Sequence, residues 1–454
     1  MLDQTQPVDG VFIVDLLESE IRPAMGCTEI GAAALVAAKA AETLGAIPDR
    51  LHLVVSQSIY KNGVAVAIPG TNLKGLAYAG ALGALIRQSH LGLNILNFTN
   101  RSNEAEAEGL VREGRVTVDV DINARDPVFL RAEVGAGRHT ASATVVERHS
   151  YIADVRRDGN PIISDMASAP CPQATSPLLR LAAVPVRELI STLMTMETSP
   201  FGFLIDAART NRNAALTDLE ADTSTLGPAL RNLTLGHTSG NAVVGKVQTM
   251  TAAASEARMA GLPVPVYALA GSGNHGITAL TGIYEVAGEL GADEDRLCRA
   301  LAVACLLAIY VKAHTGRLTS YCGCAIAPAT GVAAATVYLL GGSIEAMVHA
   351  MQSVIGTFSG MLCDGAKMSC AYKVSTVAAA AVQFAHLALQ NAFVPCGDGI
   401  VGRTIEDTIR NLAILNNPGM KETDRIILDL LQGPGRNVAQ RPPAADKATP
   451  GLPT

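Results

Sequence analysis

Residues 318–344 read LTSYCGCAIAPATGVAAATVYLLGGSI, with no charged side chain between Arg317 and Glu345. A run of this length can cross a bilayer, so its reading decides between a membrane protein and a dense helical core. Its apolar content is mostly alanine, and Ser320, Cys322, Gly323, Cys324, Pro328 and Thr330 interrupt it. Spans are normally built from leucine, isoleucine and phenylalanine, with asymmetric charged flanks. The run therefore predicts a close-packed helix opened by Cys322-Gly323-Cys324, and no membrane association.

The rest of the chain shares this texture. Of 454 residues, 49% are hydrophobic, 4% are aromatic and 42 are glycine. Charged residues make up 17%, below the usual share of about 25%, which argues against disorder for most of the chain. At roughly 150 residues per domain the length suggests two or three domains. A net charge of −6 without a basic run makes a poor nucleic-acid surface. Residues 1–7 lack the basic and apolar regions of a signal peptide. Nine cysteines without an export signal imply a reducing, cytoplasmic setting, in which they are thiols or metal ligands rather than disulfides.

The fold class predicted is α+β. Residues 1–170 read as a mixed N-terminal α/β domain, with helical patterns over 11–21, 27–44 and 73–88. Residues 51–56 and 64–68 read as strands, joined by a hairpin turn at Lys61-Asn62-Gly63. Between about 94 and 165 polar and apolar residues alternate over 116–121, 129–134, 140–147 and 151–156, as in a small antiparallel β insert. After Pro172 the strands stop, and alanine- and glycine-rich helical patterns fill a domain over 171–432. Residues 433–454, with five prolines, read as a disordered tail.

The cysteines separate by context. Cys298 and Cys305 share one apolar helix face and read as core. Cys171 and Cys396 lie in proline-flanked turns without companions. Cys322, Cys324, Cys363 and Cys370 lie in glycine-containing turns, and soft thiolates select zinc, copper(I) or iron–sulfur clusters. Their spacing matches neither a zinc ribbon nor a ferredoxin run. Cys27 opens an alanine-rich helix, where the positive dipole end favours a thiolate suited to act as base or nucleophile. Three loops suit a small ligand: 56–62, Pro69-Gly70-Thr71-Asn72 before a helix, and Gly271-Ser272-Gly273-Asn274-His275-Gly276. The last lacks the lysine of a P-loop and the strand–helix context of a dinucleotide site. His52, His139 and His149 lie in or beside strand patterns and read as surface residues, while His314 is a weaker site candidate.

Taken together, Gly26-Cys27-Thr28-Glu29, Ile59-Tyr60-Lys61-Asn62 with Ile68-Pro69-Gly70-Thr71, Gly271-Ser272-Gly273-Asn274, Cys322-Gly323-Cys324 and Cys363-Asp364-Gly365-Ala366-Lys367 before Ser369-Cys370 carry a resemblance. The chain resembles the L-cysteine desulfidase family, related to the α chain of iron–sulfur L-serine dehydratases, over about residues 10–430. The resemblance implies a lyase that converts L-cysteine to pyruvate, ammonia and hydrogen sulfide by β-elimination. It implies a 4Fe-4S cluster held by three cysteines and an N-terminal cysteine base. Carried over, the base is Cys27 and the ligands are Cys363, Cys370 and Cys324, with Cys322 as the alternative to Cys324. Asn62, Thr71, Lys74 and Asn274 stand as substrate-binding candidates on motif position. Ile30 departs from the proline usual in the family, which bears on the substrate more than on the fold. The same machinery acting on serine or threonine, and a non-catalytic iron–sulfur sensor, are the other readings. The partner expected is a small amino-acid substrate, and homo-oligomerisation is left open.

Overall fold

The computed structural model describes residues 8–164, 177–221, 224–235 and 242–432. Cys171, the expected boundary at 170 and the expected tail at 433–454 lie outside the described residues.

Helix α1 (Gly10–Glu20), capped by Asp9, leads into strand β1 (Ile21–Met25) and helix α2 (Thr28–Leu44). Strand β2 (Arg50–Ser56) is followed by α3 (Gln57–Gly63), α4 (Leu76–Ile86) and α5 (Arg101–Arg112). Then come β3 (Val116–Asp121), β4 (Leu130–Ala136), β5 (His139–Val145), β6 (Ile152–Arg157) and β7 (Asn160–Ser164). Strands β2 to β7 form one sheet in the order β3-β2-β4-β5-β6-β7, and only the β2–β3 pair is parallel. The 94–165 segment thus builds its sheet around β2, which comes from outside it. Along β4 the alternation is visible in burial: Leu130, Ala132 and Val134 are buried while Arg131 faces solvent. The buried face shares a core with the alanines of α2 and with α4.

The hairpin expected at Lys61-Asn62-Gly63 does not form. The Ser56 hydroxyl accepts from the Ile59 amide and starts α3, which runs through Asn62, and residues 64–68 make only a single bridge, Ala67 with Lys74. An N-cap and the burial of Ile59 and Tyr60 on one short helix outweigh the Asn-Gly turn preference.

The C-terminal half is helical. It runs through α6 (Pro177–Ala182), α7 (Val186–Thr195), α8 (Phe203–Glu220), α9 (Leu226–Leu235) and α10 (Ala242–Ala260). A short strand, β8 (Pro265–Leu269), then intervenes, against the expectation that strands stop after Pro172. It pairs antiparallel with β1, Ile21 opposite Leu269 and Met25 opposite Pro265, and so ties the two halves together. Helices α11 (Gly273–Gly276), α12 (Gly282–Glu289) and α13 (Glu294–Thr315) follow. The chain continues with α14 (Gly323–Leu339), α15 (Ile344–Phe358), α16 (Ser369–Leu389), α17 (Ile405–Ile414) and α18 (Lys421–Gln432).

The uncharged run becomes α14, buried almost throughout and packed against α13, α15 and α16. Its small residues permit the approach. A Cβ on Gly331 would lie 2.1 Å from the Ala304 carbonyl oxygen, so α13 and α14 meet at backbone distance. Among the described residues, α13 alone has the length and apolarity to cross a membrane, and 78% of its most apolar window is buried inside the protein.

Candidate active site

The junction of the two halves holds a cavity of about 70 Å³. Sequence-distant motifs meet there: Cys27 before α2, Asn62 on α3, Asn274 on α11, Cys322 and Cys324 at the start of α14, Cys363 before α16 and Cys370 within it. The Thr28 hydroxyl lies 3.3 Å from the Gly271 carbonyl, which brings the N-terminal motif against the glycine-rich loop.

Cys27 stands at the N-cap position of α2 but makes no capping bond with its side chain. Its thiol donates to Glu29 Oε2 at 2.8 Å. Burial, reinforced by the Glu29 charge, pushes the thiol well up, with Arg258 opposing; the thiolate expected from the helix dipole is not the resting form. Desolvation of a fully enclosed sulfur outweighs a half-charge at a helix end. Glu29, 6% exposed, also accepts from Thr28 Oγ1 at 3.0 Å and from Asn62 Nδ2 at 2.9 Å. Burial raises this carboxyl, but the His149 field and the bonds from Cys27 and Asn62 hold it below its ordinary range. Glu29, two residues after Cys27 in the same motif, is therefore ionised and accepts the hydrogen bond of its thiol.

Facing this pair is Arg258, 5% exposed at the end of α10. Its Nε donates to the Gly26 carbonyl at 2.9 Å and its Nη1 to Asn274 Oδ1 at 3.1 Å. Among the described residues no carboxylate lies within ion-pair distance of it. A Cβ at Gly273 would sit 2.5 Å from Arg258 Nε, so this glycine makes room for the guanidinium. The fork of a buried guanidinium matches the geometry of a carboxylate.

The remaining wall is sulfur. Pro328 lacks the amide that would bond the Cys324 carbonyl; the Thr278 hydroxyl lies 3.2 Å from that carbonyl, with a shorter bond to the Asn274 carbonyl at 2.8 Å. Thr278 sits in a wide π-type turn, Ile277–Thr281, directly after Asn274 and His275. Cys324 Sγ lies 3.2 Å from the Ser272 hydroxyl. Burial raises the thiols of Cys322, Cys324 (to about 12) and Cys370, and the neighbouring sulfurs add to the shift at each. Lys312, 3% exposed, has no hydrogen-bond partner for its ammonium among the described residues. Burial drops it to about 8, while the Cys324, Cys363 and Cys322 sulfurs pull it back up. The neighbouring His275 is pushed down to about 3 by burial and by Lys312, so its imidazole is neutral.

These residues fit a thiolate-held metal centre. Thiols release their protons on binding metal, and the resulting negative charge is what the orphaned ammonium lacks. Among the described residues no three His, Cys, Asp or Glu side chains gather tightly enough for a single ion. The cysteines instead ring a cavity, as the ligands of a multi-iron cluster would.

Not every candidate reaches the cavity. Thr71 spends its hydroxyl in its own turn, donating to Ile68 O at 3.0 Å and accepting from the Leu73 amide at 3.1 Å. Lys74 is exposed, and α4 begins only at Leu76. His314 packs on Tyr310 outside the lining. His52, half-buried, and His139, exposed, pair with Asp119 and Asp158, whereas His149, expected at the surface, is 7% exposed and lines the cavity. It follows β5 in a turn that bends inward, a tertiary effect that strand alternation does not encode. Cys298 and Cys305 are core residues, and Cys396 is exposed. Glu29, Arg258, Lys312 and His149 were missed. Only Glu29 carried a signal, its place in the Gly26–Glu29 motif.

Residues 181–429, more than half of the chain, match the family model described as serine dehydratase alpha chain. That stretch holds the sulfur wall, Arg258 and Asn274, and defines the molecule as one of a lyase family of amino-acid catabolism. The likeness extends further in whole-length relatives. A UPF0597 protein of Methanocella arvoryzae is 42% identical over 94% of this chain and 99% of its own length. UPF0597 proteins of Bacteroides fragilis and Clostridioides difficile are each 35% identical, over 93% and 92% of this chain and 98% of their own lengths. The chain belongs to the serine dehydratase alpha-chain family.

Proposed function

We propose that the protein catalyses β-elimination from an L-amino acid, with L-cysteine as substrate and pyruvate, ammonia and hydrogen sulfide as products. The observation that carries this reading is the Cys27–Glu29 pair lining one cavity with the cysteines and with Arg258, which has no carboxylate partner among the described residues. Cys324, Cys363 and Cys370 would hold a 4Fe-4S cluster, with Cys322 as the alternative to Cys324. When bound, the cluster supplies a Lewis acid for the departing β-substituent.

The chain's own residues do the rest. Arg258 and Asn274 receive the substrate carboxylate and fix the Cα–H bond relative to Cys27. Asn62, held by Glu29, is placed to orient the amino group. Cys27 gives its proton to Glu29 and, as thiolate, takes the α-proton; a positioned base contributes about 10²- to 10⁴-fold. The electron pair left at Cα forms the double bond as the β-substituent leaves. The enamine released tautomerises and hydrolyses in water. Arg258 takes the cationic role that motif position suggested for Lys74.

Serine is the second reading, and the match to the serine dehydratase alpha chain favours it. Anaerobic purification followed by iron and acid-labile sulfide analysis tests the metal centre. Near-equal iron and sulfide, with broad visible absorbance lost in Cys363→Ser, is the expected result. A colourless protein holding zinc after anaerobic reconstitution would contradict it.

A further inference from the structure

A second space lies outside the first, a cleft of about 600 Å³. Thr28, His149, Gly271 and Arg317 border both. Arg317 is held in place by Glu20, with Nη2 and Nη1 donating at 2.7 and 3.0 Å. His149 alone of these four carries a group that can accept and release a proton near neutral pH. It is buried, its Nε2 has no hydrogen-bond partner among the described residues, and that atom lies 3.9 Å from Glu29 Oε1. The turn that carries it is built for this placement: Glu147 adopts φ +62°, and its amide donates to Asp126 Oδ2 at 2.5 Å.

We propose that His149 is the proton-relay residue of the site, carrying to the outer cleft the proton that Cys27 passes to Glu29. The inference rests on the reading of Cys27 as the base. A buried thiol–carboxylate pair can take an α-proton once; to turn over it must lose that proton to solvent. The proton moves from Cys27 Sγ to the Glu29 carboxylate, and from there to His149 Nε2 once a small side-chain turn closes the gap. The imidazolium then releases a proton to water in the outer cleft. After the α-proton reaches Cys27 the same route clears it, so one proton leaves per turnover and nothing is oxidised or reduced. The charged groups facing His149 are Glu29 and Asp126, which favour its cation, and Arg317, which opposes it. Burial lowers the pKa of the ring against these two carboxylates and so favours the form that can accept a proton.

The test is chemical rescue in the anaerobically prepared, cluster-loaded protein. His149→Ala should lower kcat for ammonia release about a hundredfold, with KM little changed and visible absorbance as in wild type. Added imidazole, small enough for the cleft, should restore the rate in proportion to its concentration. A kcat within twofold of wild type, or a loss that imidazole leaves untouched while absorbance is intact, overturns the relay. If His149→Ala does not fold, His149→Gln replaces it: a comparable loss of kcat supports the relay, and wild-type turnover overturns it. Cys27→Ala separates the two readings. If it stays active the base assignment falls, whereas an inactive Cys27→Ala beside a fully active His149 variant removes only the relay.

Discussion

Arg258 is the single positive charge near the end of a helix rich in alanine and methionine. Its surroundings determine what it can do: two neutral acceptors hold the guanidinium, and among the described residues no acid pairs with it. Lysine would keep the charge but lose the fork. Arg258→Lys should therefore raise KM about tenfold or more, from the loss of one charge-assisted hydrogen bond, with a smaller change in kcat. Steady-state kinetics over a range of substrate concentrations measure both. Asp218 offers a pH-dependent case away from the cavity. Burial, with Glu256 adding and the Ser224 hydroxyl opposing, pushes its carboxyl up to about 7. Its contribution to stability is fully present below the unfolded value of about 3.9 and is lost as pH climbs through the folded one. Asp218→Asn should thus gain on wild type between pH 5 and pH 8, by on the order of 2 kcal/mol in urea unfolding. A gap that stays constant across this range would refute the assignment. Neither residue was legible in the chain, because a lone Arg or Asp on a helix reads as a solvated face until its neighbours are known.

Elements were more legible than residues where their period was long. The alanine pattern predicted α2, α13 and α14, and the turn-like cysteine segments do open α14 and α16. The pairing of β1 with β8 was not visible: five residues are too few to show alternation, and the partner is supplied by the other half of the chain. The same limit hid the role of α18. Its Asp424 accepts from Lys61 Nζ on α3 at 2.5 Å and from the Ser320 hydroxyl, just before the first cysteine pair, at 2.6 Å. Lys61 is 3% exposed, so removing its partner strands a buried charge. Asp424→Ala should cost about 3 kcal/mol, seen as a lower urea midpoint at an unchanged slope.

At the scale of the whole molecule, two cores are joined at a seam, and the reactive groups are divided across it. The sheet half carries Cys27, Glu29, Asn62 and His149; the helical half carries Arg258, Asn274, Lys312 and the sulfur wall. In the proposed mechanism the base and the carboxylate receptor come from different halves, so turnover would require the seam that the β1–β8 pairing maintains. The convergence of Cys27, Asn62, Asn274 and the four cysteines was foreseeable from their shared motifs, whereas the ordering of charge around them needed the fold. The most direct test is anaerobic turnover of cluster-loaded protein with L-cysteine and L-serine, scored for pyruvate and ammonia in wild type and Cys27→Ala. Equimolar pyruvate and ammonia from wild type, with sulfide when cysteine is supplied, and none from Cys27→Ala of equal iron content is the predicted result. No 2-keto acid from either substrate with wild type, or undiminished product with Cys27→Ala, would contradict it.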